Sequence, residues 1–375
     1  MTGPSPVRLE QLIGQARAAA VLRNAILRDR VAHAYLFCGP ESVGKSTAAL
    51  IFSQALNCET QRHEDTASPC GECRSCKLVA KRNHPDVRFM TPGTGGRPSV
   101  IPIEEIRKDL VYDVNLKPVA GRYKVYILDP AERTAHLAIH TILKVLEEPP
   151  PYVVTILVAS LPSLLPPTIP SRCQQVHFQL AGTEAIESHL LAIGVEPAAA
   201  ASLARLSGGR VAWAVRAAHC PDVLSVRKAL LDLCAGLDDR GLPASLRVAE
   251  EIKLQALALA SASAESEADA QADEETEEPS RTSGSGGNRA LRTELPWCLD
   301  VMISWYRDRL AAPRGGALLN PDYEAALRGC SRTDSARGDE QAIESLLEVK
   351  HAIQRNANLD LSLECLATRL IGGSD

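Results

Sequence analysis

The chain has 375 residues, too many for one ordinary hydrophobic core, so more than one domain is expected. A formal net charge of −5 gives it no global attraction to a polyanion, and any contact with nucleic acid has to come from a local patch or from partner subunits. No basic leader with an apolar core opens the sequence, and no stretch approaches the roughly twenty apolar residues a bilayer span needs, so a cytoplasmic protein is expected.

Residues 7–33 begin with Leu12-Ile13-Gly14-Gln15 and continue as an alanine-rich segment in which Ala18, Val21, Leu22, Ala25 and Ile26 recur at helical spacing. The stripe packs on a core, or the turn at Ile13-Gly14 lines a base pocket; both readings stand. A short apolar run, Ala34 to Cys38, then leads into Gly39-Pro40-Glu41-Ser42-Val43-Gly44-Lys45-Ser46-Thr47 and the apolar face of a second helix. Gly39 and Gly44 have the G-x-x-x-x-G-K-[ST] spacing of a phosphate loop between strand and helix. In that reading Lys45 reaches the β- and γ-phosphates, Ser46 offers its hydroxyl to Mg²⁺, and Thr47 follows on the first helical turn.

Of the eleven cysteines, most lie singly in apolar contexts, as small core residues of a reduced protein do. Four cluster: Cys58, then Cys70, Cys73 and Cys76 in two overlapping C-x-x-C pairs. Four thiolates favour a closed structural Zn²⁺ site, although the spacing also admits a redox pair or an iron–sulfur cluster.

His84 to Phe89 reads as a strand, Thr91 to Ser99 as a Gly-rich loop and Ile103 to Val111 as a helix. Lys124 to Leu128 is an apolar strand that delivers Asp129, the position where a nucleotide fold keeps its metal-orienting carboxylate. Motor ATPases place a second acid next to it to polarise water; here that residue is Pro130. Glu132 lies two positions further on, where strand-to-loop geometry would not normally aim it at the γ-phosphate, so little or no hydrolysis is expected. A helix from Thr134 to Leu146 ends at the proline run 149–151, and the strand Val153 to Ser160 ends in a hydroxyl that is either a γ-phosphate sensor or merely the start of a loop. After a Pro-rich link come Ser171-Arg172-Cys173 and a strand from Gln175 to Phe178. Alternating strands and helices of this kind indicate an α/β fold with a parallel sheet.

Beyond residue 182 the pattern is helical throughout, with a glycine stop at Gly208-Gly209 and a new helix opening at Arg210. Residues 261–290 are rich in acids, serine and glycine with almost no large apolar side chain, and disorder is expected there. Helices resume near Leu295 and again from Ile343 to Ile371, with a break around Asn356 to Asp360.

The ordered set HAYLFCGPESVGKS, ALNC followed by PCGECRSC and NHPDV, ILKVLEEPP and TIPSRCQ resembles the clamp-loader AAA+ subunits of bacterial DNA polymerase III. The resemblance implies a RecA-like core over 1–180 with an inserted zinc module at 58–76, a helical lid over 181–220, and an all-α collar over 221–375 that joins a ring and carries the acidic insert. Length, His84-Pro85-Asp86 after the cysteines, and Pro130 favour the delta-prime branch over the ATP-hydrolysing tau/gamma branch. The implied partners are tau/gamma and delta subunits in a hetero-pentamer, the sliding clamp, and primed DNA through the complex; the implied cofactors are structural Zn²⁺ and ATP or ADP with Mg²⁺. Arg172 matches the arginine that this family sends into the adjacent subunit's ATP site. The family's second sensor arginine falls on Ala212, so that sensor is absent, and Asn356 and Asn358 match a collar motif. A tau/gamma-type motor, or an unrelated zinc-containing phosphate-loop protein that binds nucleic acid, are the competing readings.

Overall fold

The computed structural model describes residues 8–60, 67–92, 100–220, 222–271, 285–316, 318–329, 335–355 and 357–372. The chain divides into two units, Met1–Val215 and Arg216–Asp375. In the first, α1 (Ala16–Leu27) leads to β1 (Ala34–Cys38) and α2 (Lys45–Asn57), and α3 (Arg74–Ala80) precedes β2 (Val87–Met90). Then come α4 (Ile103–Ile106), prolonged by a π turn over Arg107–Val111, β3 (Lys124–Leu128), α5 (His136–Glu147), β4 (Val153–Ala159) and β5 (Gln174–His177). Helices α6 (Thr183–Ala192), α7 (Pro197–Leu206) and α8 (Val211–Ala218) follow.

All strand pairs are parallel, in the order β2-β3-β4-β1-β5. Strand β4 is thereby inserted between β1, which feeds the phosphate loop, and β3, which delivers Asp129. The register sets Cys38 beside both Ala159 and His177, and Leu128 beside Leu157, so the carboxyl ends of these strands form one edge. Ligands of open α/β sheets bind outside that edge.

Strands β1, β3 and β4 are buried at every position, because helices cover both faces, and this is why they read as near-continuous apolar runs, interrupted only by Lys124 and Thr155. The pleat sends Tyr35, Phe37, Ile127, Ile156 and Val176 to one face, against Leu22, Ile51 and Phe52 of α1 and α2. Leu36, Tyr126, Leu128 and Leu157 take the other, against Leu110, Ile142 and Leu146. Phe52 is fully buried with its ring 5.1 Å from that of Tyr35, edge to face. Truncating it to alanine would cost about 3–5 kcal/mol.

Two buried polar residues fix the entry to β2. His84 Nδ1 accepts the Asp86 N–H at 3.0 Å while its Nε2 meets Ser75 Oγ of α3 at 3.1 Å. The Asp86 carboxylate accepts the N–H groups of Val119, Ala120 and Gly121, each at 2.7 Å. Burial opposes its ionisation, but the three backbone donors prevail and hold it below the usual carboxylate range. Asn57, the last residue of α2, clamps the entry to β3 in the same manner, donating to Tyr123 O at 3.0 Å and accepting from Tyr123 N at 2.9 Å.

The second unit is helical among its described residues: α9 (Val223–Ala235), α10 (Ser245–Gln271), α11 (Ser285–Ala311), α12 (Glu324–Gly329), α13 (Ser335–Gln354) and α14 (Leu359–Gly372). Leu230, Leu295, Trp305, Leu346 and Leu366 are among its buried side chains. Buried Asp308 accepts from Leu319 N at 3.0 Å, Asn320 N at 2.7 Å and Asn320 Nδ2 at 3.0 Å, fixing the chain after α11. Asn358 Oδ1 accepts Leu361 N–H at 3.2 Å and so caps α14, a local role for one of the two asparagines singled out in the sequence. Asn356 lies outside the described residues, as do 93–99 of the Gly-rich loop.

The expectation of disorder over 261–290 is corrected at both ends. Helix α10 continues through Gln271 and α11 begins at Ser285. Alanine and glutamate are strong helix formers, and a helix already nucleated by packed residues such as Val248, Ile252 and Leu259 propagates at little cost even where no apolar face remains. Residues 272–284 lie outside the described residues.

Candidate nucleotide site and metal centre

The phosphate loop starts where β1 ends. Gly39 has φ +152°, and a Cβ there would stand 2.3 Å from the Phe178 carbonyl oxygen, so only glycine lets the loop pass β5. Gly44, at φ +98°, sits at the N-cap of α2 and turns the chain into the helix. Lys45 is buried, and its Nζ donates to Gly39 O at 2.7 Å, Pro40 O at 2.5 Å and Ser160 Oγ at 3.0 Å. Burial lowers its pKa, with Glu132, Glu41 and Asp129 opposing the shift. The ammonium is thus folded back on the carbonyls of its own loop, which a polyphosphate would replace with stronger, charged acceptors. Ser46 and Thr47 are exposed at the start of α2.

Asp129 follows β3, and burial raises its pKa against a hydrogen bond from Ser46 and the charges of Lys45 and Arg82. Carboxylate and hydroxyl are therefore together, as a Mg²⁺ site requires. The next residue, Pro130, offers no acid. Glu132, two positions further on, reaches the tip of β4, where its Oε1 accepts Ser160 N–H at 2.9 Å and Leu161 N–H at 3.1 Å. Gly39, Gly44, Lys45, Ser46, Asp129 and Ser160 are thus gathered at one edge of the sheet.

Arg172 is held elsewhere. It precedes β5, whose first residue Gln174 pairs with Tyr35, so it lies toward the amino end of β1 and away from the phosphate loop. Its side chain is 37% exposed; NH2 donates to Glu147 Oε1 at 2.8 Å and NH1 to Thr168 O at 3.2 Å. Cys173 beside it is half-buried, and burial pushes its thiol up to about 12.

Ala212, the position at which the sequence lacks the second sensor arginine, touches the phosphate loop through its backbone, its N–H donating to Ser42 O at 2.8 Å. Gln15 was not singled out as a site residue, yet it is buried and ties the same region together. Its Nε2 donates to Gln179 O at 2.6 Å and Val43 O at 3.4 Å, and its Oε1 accepts Gln179 N–H at 3.0 Å. A buried glutamine carries no periodic signal, so only the fold reveals it.

Cys58, Cys70, Cys73 and Cys76 come together with their Sγ atoms all within 4.8 Å of one another, and Cys70 and Cys76 are 3.9 Å apart. A tetrahedral ion with bonds of about 2.3 Å separates its sulfurs by about 3.8 Å, so the four thiols fit a four-coordinate metal. Backbone N–H groups already point at the sulfurs: Cys70 N to Cys58 Sγ at 3.4 Å, Cys73 N to Cys70 Sγ at 3.3 Å, Cys76 N to Cys73 Sγ at 3.4 Å. Burial opposes ionisation of Cys70, but hydrogen bonds from Thr60 and from the Cys73 and Glu72 backbone outweigh it and bring the thiol to about 6. A closed set of this kind leaves no open coordination position, which suits a structural ion that pins the loop after α2 to α3.

Residues 14–181 match the sequence family described as DNA polymerase III, delta subunit. Over these residues the chain is similar to subunits of DNA polymerase III. The chain is 37% identical over 185 residues to the DNA polymerase III subunit tau/gamma of Haemophilus influenzae, a stretch covering 49% of this chain and 26% of that protein. Identity to the subunit tau of Bacillus subtilis is 38% over 181 residues, covering 48% and 31%. The match to the delta' subunit of Bacillus subtilis is 32% over 226 residues and covers 60% of this chain and 66% of that one. The chain thus spans under a third of the length of these tau and tau/gamma relatives. Among solved structures, a gamma subunit-related protein of Thermotoga maritima aligns over 95% of this chain and 99% of its own at 15% identity and a TM-score of 0.39. Among the described residues no helix is long and apolar enough to cross a membrane.

Proposed function

We propose that the chain is a delta-prime-type subunit of a clamp loader, working in the cytoplasm within a ring that opens a sliding clamp and places it on primed DNA. The observation that carries this reading is Pro130 after Asp129: beside a complete phosphate loop that would hold ATP or ADP with Mg²⁺, the acid that polarises water is missing. The broader coverage of the delta' relative supports it. Zn²⁺ held by Cys58, Cys70, Cys73 and Cys76 stabilises the inserted module. The helical unit, from about residue 221, joins tau/gamma and delta subunits as the collar. Arg172, with two of its donors held by a carboxylate and a carbonyl, serves the ATP site of the neighbouring subunit.

The higher identity to tau and tau/gamma chains, over about half of this chain, favours a second reading, a motor subunit in its own right. Steady-state hydrolysis by the purified chain separates the two: negligible turnover is expected, and turnover at a motor's pace would overturn the delta-prime assignment. Co-purification with tau/gamma and delta subunits tests membership of the ring.

A further inference from the structure

Ser160, the hydroxyl partner of the phosphate-loop lysine, is itself held by a carboxylate to which the sequence assigned no role. Glu132 leaves the loop after β3 and grips the tip of β4, one oxygen accepting two successive N–H groups, those of Ser160 and Leu161. Ser160 Oγ in turn meets Lys45 Nζ at 3.0 Å, so Glu132, Ser160 and Lys45 form a continuous chain from the Asp129 loop to the phosphate loop. The other oxygen, Oε2, is buried with no hydrogen-bond partner among the described residues. Glu132 is also the foremost of the charges that offset the burial of Lys45. A carboxylate buried with one oxygen unsatisfied costs stability. What it supplies here is the fixed position of the β4 tip.

We propose that Glu132 is a positioning residue of the nucleotide pocket, acting through Ser160 to set the terminal-phosphate end of the site and so to discriminate nucleoside triphosphate from diphosphate. The inference rests on the nucleotide-binding reading above. It follows from where the chain of contacts ends, because the phosphate-loop lysine serves the β- and γ-phosphates and Ser160 stands at that lysine's nitrogen. A Ser160 hydroxyl free to wander would lose its contact with a γ-phosphate and leave the α- and β-phosphates, cradled by the Gly39 to Ser46 backbone, undisturbed.

The test measures equilibrium binding of ATP and ADP to the full chain together with hydrogen exchange at the Ser160 and Leu161 amides. Glu132→Ala is expected to weaken ATP about tenfold and ADP less than about twofold, and to speed exchange at both amides at least tenfold. Glu132→Gln keeps an oxygen that accepts the same two N–H groups and is expected to restore both the ATP-to-ADP ratio and the protection. Ser160→Ala should reproduce the ATP loss, and the double variant should lose no more than either single one. An unchanged ATP-to-ADP ratio in Glu132→Ala, or losses that add in the double variant, overturns the discrimination; unchanged exchange at residues 160 and 161 overturns the positioning. Failure of the unsubstituted chain to bind either nucleotide more tightly than Lys45→Ala would overturn the nucleotide reading itself, and with it the discrimination, while the exchange measurement still judges the contact.

Discussion

Replacing Asp86 by asparagine removes one oxygen and one charge from a buried group that accepts three backbone N–H bonds of 2.7 Å. The amide oxygen can keep Ala120 and Gly121, but then its NH₂ faces the Val119 N–H, donor against donor. Losing a charge-assisted hydrogen bond costs about 1.5–3 kcal/mol, and a stranded buried donor about 1–3 kcal/mol more. The expected destabilisation is about 3–5 kcal/mol, a large share of the roughly 5–15 kcal/mol that holds a domain together. Because folding lowers the pKa of Asp86, its contribution is fully present above the unfolded value of about 3.9 and is lost as pH falls through the lower folded value. The gap between wild type and Asp86→Asn should therefore be constant from neutral pH down to about 5 and narrow below about 4. Hydrogen exchange at the β3 amides, read across that pH range, follows the first unit by itself. A difference under about 1 kcal/mol, or one that persists undiminished at low pH, would refute the argument.

Lys45→Ala should abolish detectable nucleotide binding in equilibrium titration while leaving the far-UV spectrum unchanged. Cys73→Ser, or chelation of the native chain, should release one zinc per chain by metal analysis. Although a structural zinc is worth about 10–16 kcal/mol in an isolated module, the loss here should open the segment around 58–80 to proteolysis and leave the helical unit intact. Zinc content unaffected by the substitution would point to a different ligand set. For Arg172→Ala, the exposed pair with Glu147 is worth about 0–1 kcal/mol, so the melting temperature should hold. ATPase of the assembled ring should fall by about 10³-fold at the site Arg172 serves, and full activity in a correctly assembled mutant ring would sink the assignment.

Much of the first unit was legible because its signals are local. Near-continuous apolar runs at 34–38, 124–128 and 153–159 are what a doubly covered parallel strand must look like, and the phosphate loop is read from its spacing together with the strand before it and the helix after it. The cysteine cluster was readable for the same reason, since three of its four thiols lie within seven residues. Glu132, Gln15 and Asp86 work through backbone groups distant in sequence, at Ser160, Gln179 and Val119–Gly121, and no spacing rule encodes such partners. The ends of the acidic insert were misjudged because composition measures how much a segment can bury, whereas helix continuation depends on what its neighbour has already nucleated.

The close pass of Gly39 against Phe178 has a bearing on Arg172, because both hang from one strand. Strand β5 works as a fixed-length spacer: its carboxyl end leans on the chain's own phosphate loop and its amino end carries the guanidinium toward the opposite edge. At about 3.3 Å per residue, adding a single residue to β5 would shift one end relative to the other by that amount and turn Val176 from the core to solvent. The length of this short strand is therefore constrained from both ends at once, even though most of its side chains are exposed and would otherwise be free to vary.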